Sequence, residues 1–516
     1  MAAKGNRKNG ETAKKILIIG IDGGTWKILK PLMQKGMMPS LKKLYEGGAR
    51  GTLESTIPPI TPVAWTSFMT GCNPDKHGIL NFMNYYKNNN HFDLVNARRN
   101  KAKTIWEILS DNDYRSISIN VPMTYPPKKI RGNITLSGLM TPSSKSDYCN
   151  DESVKQEIER KFGGYPVWQS RGREKMKDLS YHTDHLLGIA EKRLKIALHL
   201  MKNYQWDVMM YHFQETDFLQ HFFYDRIIPS INKSSKKPAS SEEKKLHEFY
   251  SRIDSHISKL IKQCSESTDI FVISDHGFEE DETNFYSNTW LYQKGCISLK
   301  KSPKAGFMQM LLELVRKIDR WELRTKILKK KSSKVMKFFY DSFLDLENSA
   351  AFAQGNGPFT YLYIMKKGNK IAKELSNVKF KGKKVFSACY SKKHLYSNPH
   401  SEFLPDYVLT TNRGFSCLDG FGKKKLFGDP KERCHTGQHD SDGIFIINGK
   451  DVRRGGFKAK ITDIIPTLLY RMGVPCQNLD GDTRKDMFYG GQKSIKPHHH
   501  KKESARIKRA VEDLEL

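Results

Sequence analysis

Short, unbroken apolar runs that stop at an aspartate or a histidine constrain this chain more than any other feature. KILIIGI (15–21) runs into Asp22, and DVMMYHF (207–213) is followed by Asp217 and His221. DIFVI (269–273) leads to Asp275 and His276, and His439 stands shortly before GIFII (443–447). A run of this kind, apolar at every position, suits a strand buried on both faces, as in parallel sheets covered by helices. Helical patterns at 39–47, 101–110, 181–204 and 242–265 alternate with these runs and with two further strand patterns, SISINVP (116–122) and NITLSGL (133–139). Strands alternating with helices predict an α/β fold with a mostly parallel central sheet and helices on both faces.

Hydrophobic residues at 38% and aromatics at 11% exclude a disordered or fibrous chain. The expected organisation is a flexible basic tail over 1–15, a catalytic α/β region in two parts, 16–299 and 346–490, a basic helical insertion or cap over 300–345, and a C-terminal tail over 491–516. Between Lys300 and Lys337, thirteen Lys/Arg and three Asp/Glu surround Leu311, Leu314, Ile318 and Trp321 at helical spacing. Such a helix either packs on the body with a solvated basic face or lies on an anionic surface. The Ser/Lys/Pro-rich stretch 228–245 is expected as an exposed loop. Lys plus Arg number 87 against 56 Asp plus Glu, a formal charge of +31 that draws phosphates, nucleic acid or anionic lipid without naming one of them. The eight cysteines form no CxxC pair, which predicts reduced thiols and a cytoplasmic protein, peripheral to a membrane at most. No segment has the pattern of a signal peptide or the ~18 apolar residues of a membrane span.

In a wound parallel sheet, ligands sit beyond the carboxyl ends of the strands, where these acidic and histidine residues fall. Each alone has an ordinary reading as a helix cap or a satisfied polar group; their recurrence at successive strand ends favours a shared site. Asp217 and His221, spaced i, i+4, share one helix face and with His439 make three N/O ligands, leaving a position open as in a catalytic zinc site. Asp22, Asp275 and His276 make a second set, and two ions a few ångströms apart clamp an in-line phosphoryl displacement. The candidate nucleophile is Thr61. Thr61-Pro62 reads as a helix start, where a plain N-cap is the alternative, but a hydroxyl there also lies in the field that favours a phosphate. The tract His498-His499-His500 is expected as an exposed tail patch.

The ordered motifs Asp22-Gly23, PPITPVAWTSFMTGCNPDKHGI (58–79), TDFLQH (216–221), SDHG (274–277), GQHDSDGIFI (437–446) and ITDIIPTLLYRMGVPCQNLDGD (461–482) resemble the type I phosphodiesterase/nucleotide pyrophosphatase family of the alkaline phosphatase superfamily. The resemblance implies an alkaline-phosphatase-like fold and two divalent ions, zinc or manganese. Asp217, His221 and His439 would hold one; Asp22, Asp275, His276 and Thr61 would hold the other, with Thr61 as the nucleophile. His435 competes for the place of His439, whose GQH spacing before GIFI fits better. Nucleotide pyrophosphatases usually carry an Asn three residues after the nucleophile, whereas this chain has Ala64, which argues against nucleotide diesters as substrate. A sulfatase is disfavoured because threonine cannot become a formylglycine.

The reaction expected is therefore hydrolysis of a phosphodiester or phosphomonoester through a covalent phospho-threonine. The substrate expected is a phosphorylated small molecule or lipid headgroup, with an anionic membrane surface as a further contact and nucleic acid not required. A phosphotransferase or phosphonate hydrolase of the same superfamily is the enzymatic alternative. A non-catalytic polyanion- or membrane-binding protein on this scaffold is the alternative of another class.

Overall fold

The computed structural model describes residues 14–167, 178–233, 238, 240–300, 344–366, 369–398, 401–420, 425–475 and 477–490. Most of the expected insertion 300–345, residues 1–13 of the N-terminal tail, and the C-terminal tail with His498-His499-His500 lie outside the described residues. From edge to edge, the central sheet runs Gly455–Lys460, Ala49–Glu54, Asp442–Asn448, Asp269–Ile273, Ile16–Ile21, Val208–Phe213, Ser116–Val121 and Asn133–Ser137. Five of its pairings are parallel. The two antiparallel ones arise where Asp442–Asn448 inserts between Asp269–Ile273 and Ala49–Glu54.

The strand Ile16–Ile21 is buried along its whole length because its side chains feed two cores in alternation. Leu17, Ile19 and Ile21 join helices Trp26–Gln34, Pro39–Gly47, Leu179–Asn203, Glu215–Asn232 and Ser241–Ile261 on one face. Ile16 and Ile18 join helices Thr61–Thr70, Ile105–Asp111 and Ile464–Met472 on the other. The expected mostly parallel sheet with helices on both faces is therefore observed.

The loop expected over 228–245 is much shorter. The preceding helix persists to Asn232 despite Pro229, anchored by buried Ile227 and Ile231. The next begins at Ser241, where Ser240 Oγ accepts the Glu243 N–H at 3.2 Å. Apolar anchoring and a serine cap outweigh the polar composition.

A second sheet runs Phe386–Ser391, Tyr407–Thr411, Phe359–Ile364, Ala351–Gly357, Gly414–Leu418, Gly277–Tyr286 and Phe427–Gly428, with a separate apolar core. Its pairings are antiparallel except that of Gly414–Leu418 with Gly277–Tyr286. The strand Gly277–Tyr286 starts at the carboxyl end of the central sheet, beside Asp275 and His276, so it ties the two sheets together at that point. Among the described residues, no helix is long and apolar enough to cross a membrane.

Candidate active site

Asp22, Asp217 and Asp275 follow three strands that are neighbours in the sheet, so the topology alone brings them to one end. Asp22 continues its strand by donating its N–H to Phe213 O at 2.9 Å, and Thr216 Oγ1 donates to Asp22 O at 2.6 Å. The chain then turns sharply at Gly23, whose φ of +66° and N–H to Asp275 Oδ1 at 3.2 Å fix the second carboxylate. A Cβ at Gly23 would sit 2.7 Å from the Phe278 ring, so only glycine fits.

One oxygen of Asp22 is committed to its supports. Trp65 Nε1 donates to Oδ2 at 3.1 Å, and His212 Nε2 donates to the same atom at 3.0 Å. Asn120 Nδ2 faces His212 Nδ1 at 3.4 Å, which makes Nδ1 the acceptor and Nε2 the protonated nitrogen. Trp65, His212 and Asn120 were not foreseen from sequence. The available signal was His212, a histidine inside an otherwise apolar buried strand.

The remaining donor atoms converge. Asp217 Oδ1 lies 3.3 Å from His439 Nε2, 3.4 Å from His221 Nε2 and 4.0 Å from His276 Nε2. His276 Nε2 lies 3.1 Å from Asp275 Oδ2, 3.5 Å from Asp22 Oδ1 and 3.4 Å from Thr61 Oγ1. Two ligand groups result, Asp217–His221–His439 and Asp22–Asp217–His276, each with its atoms within 4.8 Å of one another. Asp217 is common to both. Asp275 adjoins the second through His276. His435 is placed outside these groups, its ring 5.1 Å from that of His221.

These atoms fit divalent cations. Asp22 Oδ1, Asp217 Oδ1 and Asp275 Oδ2 are buried with no hydrogen-bond partner, an arrangement that is costly unless a cation takes their lone pairs. Each histidine spends its other nitrogen on a main-chain carbonyl. Nδ1 of His276 meets Gly277 O at 3.0 Å, that of His221 meets Gly437 O at 3.1 Å, and that of His439 meets Pro59 O at 2.9 Å. Nδ1 is thereby the protonated nitrogen and Nε2 carries a lone pair directed inward, as in metal-binding histidines. The 3.0 Å approach of His221 Nε2 to His439 Nε2 then sets lone pair against lone pair, a contact that a shared cation relieves.

The electrostatics agree. Burial, reinforced by Asp217, pushes Asp22 above the ordinary carboxylate range, and burial with Asp22 and Asp217 pushes Asp275 well above it. Asp217 is also opposed by burial, yet the charged forms of His221 and His439 hold it well below that range, and His221, itself opposed by burial, is raised by Asp217, so a proton and a cation compete for the same Nε2 lone pair. Burial, aided by His439, drives His276 well below its usual value.

Thr61 is the first residue of its helix, with Ile60 rather than Thr61 in the cap position. It is 5% exposed and lines a cavity of about 220 Å³ together with Asp217, His221 and His439. Ala64, one turn along, is fully buried in the apolar core, so position 64 does not supply the pocket and cannot mark a missing phosphoryl donor. Amides that do line the cavity with Thr61 include Gln214 and Asn81, whose Oδ1 accepts the Phe82 N–H at 2.8 Å.

The family "Type I phosphodiesterase / nucleotide pyrophosphatase" matches residues 16–442. Similar solved structures include murine ectonucleotide pyrophosphatase/phosphodiesterase 5, at 12% identity and a TM-score of 0.52 over 92% of this chain and 100% of that one. The phosphonoacetate hydrolase of Sinorhizobium meliloti 1021, in complex with phosphonoformate, has 15% identity and a TM-score of 0.59 over the same shares. At these identities the likeness is one of fold. No curated protein matches the sequence. The chain belongs to the type I phosphodiesterase/nucleotide pyrophosphatase family, a family of metal-dependent phosphoric ester hydrolases.

Proposed function

We propose that this family member hydrolyses a phosphate ester with two divalent ions, zinc or manganese, and Thr61 as nucleophile. The observation that carries the reading is the convergence of Asp217, His221 and His439, and of Asp22, Asp217 and His276 with Asp275 against His276, beside Thr61 Oγ1, with three buried carboxylate oxygens there lacking any hydrogen-bond partner. In the murine relative, a variant with a threonine changed to alanine is inactive and is seen in complex with AMP. Bound at these residues, the ions would neutralise the phosphoryl oxygens and lower the pKa of the Thr61 hydroxyl.

The chain's own groups set the rest. Thr61 lines the cavity from the start of its helix, where the helix dipole favours an anionic phosphoryl group. A bond forms from Thr61 Oγ1 to phosphorus as the P–O bond to the alcohol breaks, and the alcohol leaves with its oxygen and a proton. Water then attacks phosphorus, the Thr61 Oγ1–P bond breaks, and Thr61 regains its proton. Trp65 and His212 keep Asp22 from rotating during both steps. The same proposal places the enzyme in the cytoplasm, with its +31 charge free to engage an anionic surface.

The test pairs metal content with turnover. Thr61→Ala should keep its divalent metal by elemental analysis yet lose steady-state hydrolysis of p-nitrophenyl phosphate, while Thr61→Ser retains part of it. Near wild-type turnover by Thr61→Ala would remove Thr61 as nucleophile, and a protein that takes up no divalent metal would end the two-ion reading.

A further inference from the structure

Two of the three ligands in the group Asp217–His221–His439 depend on one short strand, Gly437–Asp440. His439 stands on it, and the carbonyl of Gly437 accepts the His221 Nδ1–H at 3.1 Å. Among the described residues this strand pairs with one other, Gly277–Tyr286, with Gln438 opposite Glu279 and His439 opposite Phe278. It also lies against the helix that carries Asp217 and His221. The Thr436 N–H donates to His221 O at 2.8 Å, and a Cβ at Gly437 would meet Gln220 O at 2.5 Å. A four-residue strand paired along one edge is a slight support for two ligands whose separation has to be fixed.

Side chains supply what the main chain lacks. Gln438 is 2% exposed, and the two ends of its amide are engaged on different neighbours. Its Nε2 donates to Oε1 of Glu279, the residue opposite, at 3.0 Å, and its Oε1 accepts the Ser416 hydroxyl at 2.6 Å. Ser416, also buried, belongs to Gly414–Leu418, which flanks Gly277–Tyr286 in the second sheet. Leaving either end of a buried amide unpaired is costly, so the strand keeps the one setting that satisfies both. At the strand's end, Lys27 Nζ pairs with Asp440 Oδ2 at 2.8 Å, but this contact is open to solvent and correspondingly weak. The other ligand group draws on different supports: Trp65 and His212 for Asp22, the Gly23 N–H for Asp275, and the Gly277 carbonyl for His276. None of these lies on Gly437–Asp440.

We infer that Gln438 is a positioning residue for one ion of the two. Held by Ser416 and Glu279, it fixes His439 and the Gly437 carbonyl, and so sets the geometry of Asp217, His221 and His439, whereas Asp22, Asp275 and His276 do not depend on it. The inference rests on the two-ion reading above.

The experiment measures zinc affinity of the full chain by competition with a fluorescent chelator, alongside zinc content and circular dichroism. In Gln438→Leu, one of the two equivalents should bind about 10–100-fold more weakly, the usual scale for the supports of a metal ligand, and the other as in the parent. Ser416→Ala, which removes one donor, should weaken the same equivalent by a smaller factor, and it keeps the inference testable if Gln438→Leu does not fold. Glu279→Gln keeps an acceptor oxygen for Gln438 Nε2 and should retain the parental affinity for both. A His439→Ala background, which disables one group, identifies the ion. There Gln438→Leu should leave the remaining zinc unchanged, whereas His212→Leu should weaken it. Weakening of that remaining zinc by Gln438→Leu, equal weakening of both equivalents in the otherwise parental chain, or parental affinity for both in each folded variant would overturn the inference and leave the two-ion reading standing. A parent chain that binds fewer than two equivalents of zinc would overturn both.

Discussion

Asp217 Oδ1 faces three imidazoles, and a shared ligand has a distinctive signature on removal. Asp217→Ala should cost more than one equivalent of bound metal and lower activity by orders of magnitude, because a metal site supplies several kcal/mol of transition-state stabilisation. A loss of one equivalent or less, in folded protein, would assign Asp217 to a single ion. His212→Leu removes one of the two donors to Asp22 Oδ2 and should weaken metal affinity by about 10–100-fold, the usual scale for a ligand's supporting hydrogen bond; titration with a fluorescent zinc chelator would measure it. That these residues meet was legible in the sequence, because Asp22, Asp217, Asp275 and His276 follow apolar runs, His439 stands just before one, and the i, i+4 spacing of Asp217 and His221 fixes a common helix face. The sharing of Asp217 was not, since it depends on distances between segments that no spacing records. Position 64 was misread for a related reason: counting from Thr61 gives sequence separation but not which side of a wholly buried helix points to the cavity.

At the scale of elements, the turn after the first strand is the tightest constraint. Gly23→Ala forces a Cβ into the Phe278 ring and a side chain into the left-handed region, so it should displace Asp22 and Asp275 together and abolish metal binding while the protein still folds; elemental analysis with circular dichroism would show this. On the strand Gly277–Tyr286, burial, aided by Asp440, raises the Glu279 carboxyl to about 7. Its stabilising contribution is present below the unfolded-state value and is lost as pH rises through the folded value. Glu279→Gln should therefore melt like the parent in acid and above it by about 1–3 °C at pH 8, in calorimetric scans. The central strands could be read in advance because burial on both faces leaves an uninterrupted apolar signal. The second sheet could not, since strands such as AFAQGNG (351–357) mix glycine and amides with apolar residues and acquire their pairing only from distant partners.

For the whole molecule, the proposed ligand set, with Thr61, spans five separated stretches of chain, so ions bound there would act as crosslinks between them. Chelation should lower the melting temperature by about 4 °C, the scale of ligand binding at about a thousand times Kd in a protein of this size, and zinc or manganese should restore it. An unchanged melting curve after verified metal removal would show that the ions do not bridge these stretches. The set runs from Asp22 to His439, and this has a consequence for biosynthesis. At about 5–20 residues per second, a ribosome takes on the order of half a minute or more to pass from the first ligand to the last. Under the two-ion proposal, the group Asp22–Asp217–His276 is complete once residue 276 has emerged, whereas Asp217–His221–His439 waits for its last member, so one ion would enter during synthesis and the other only near its end.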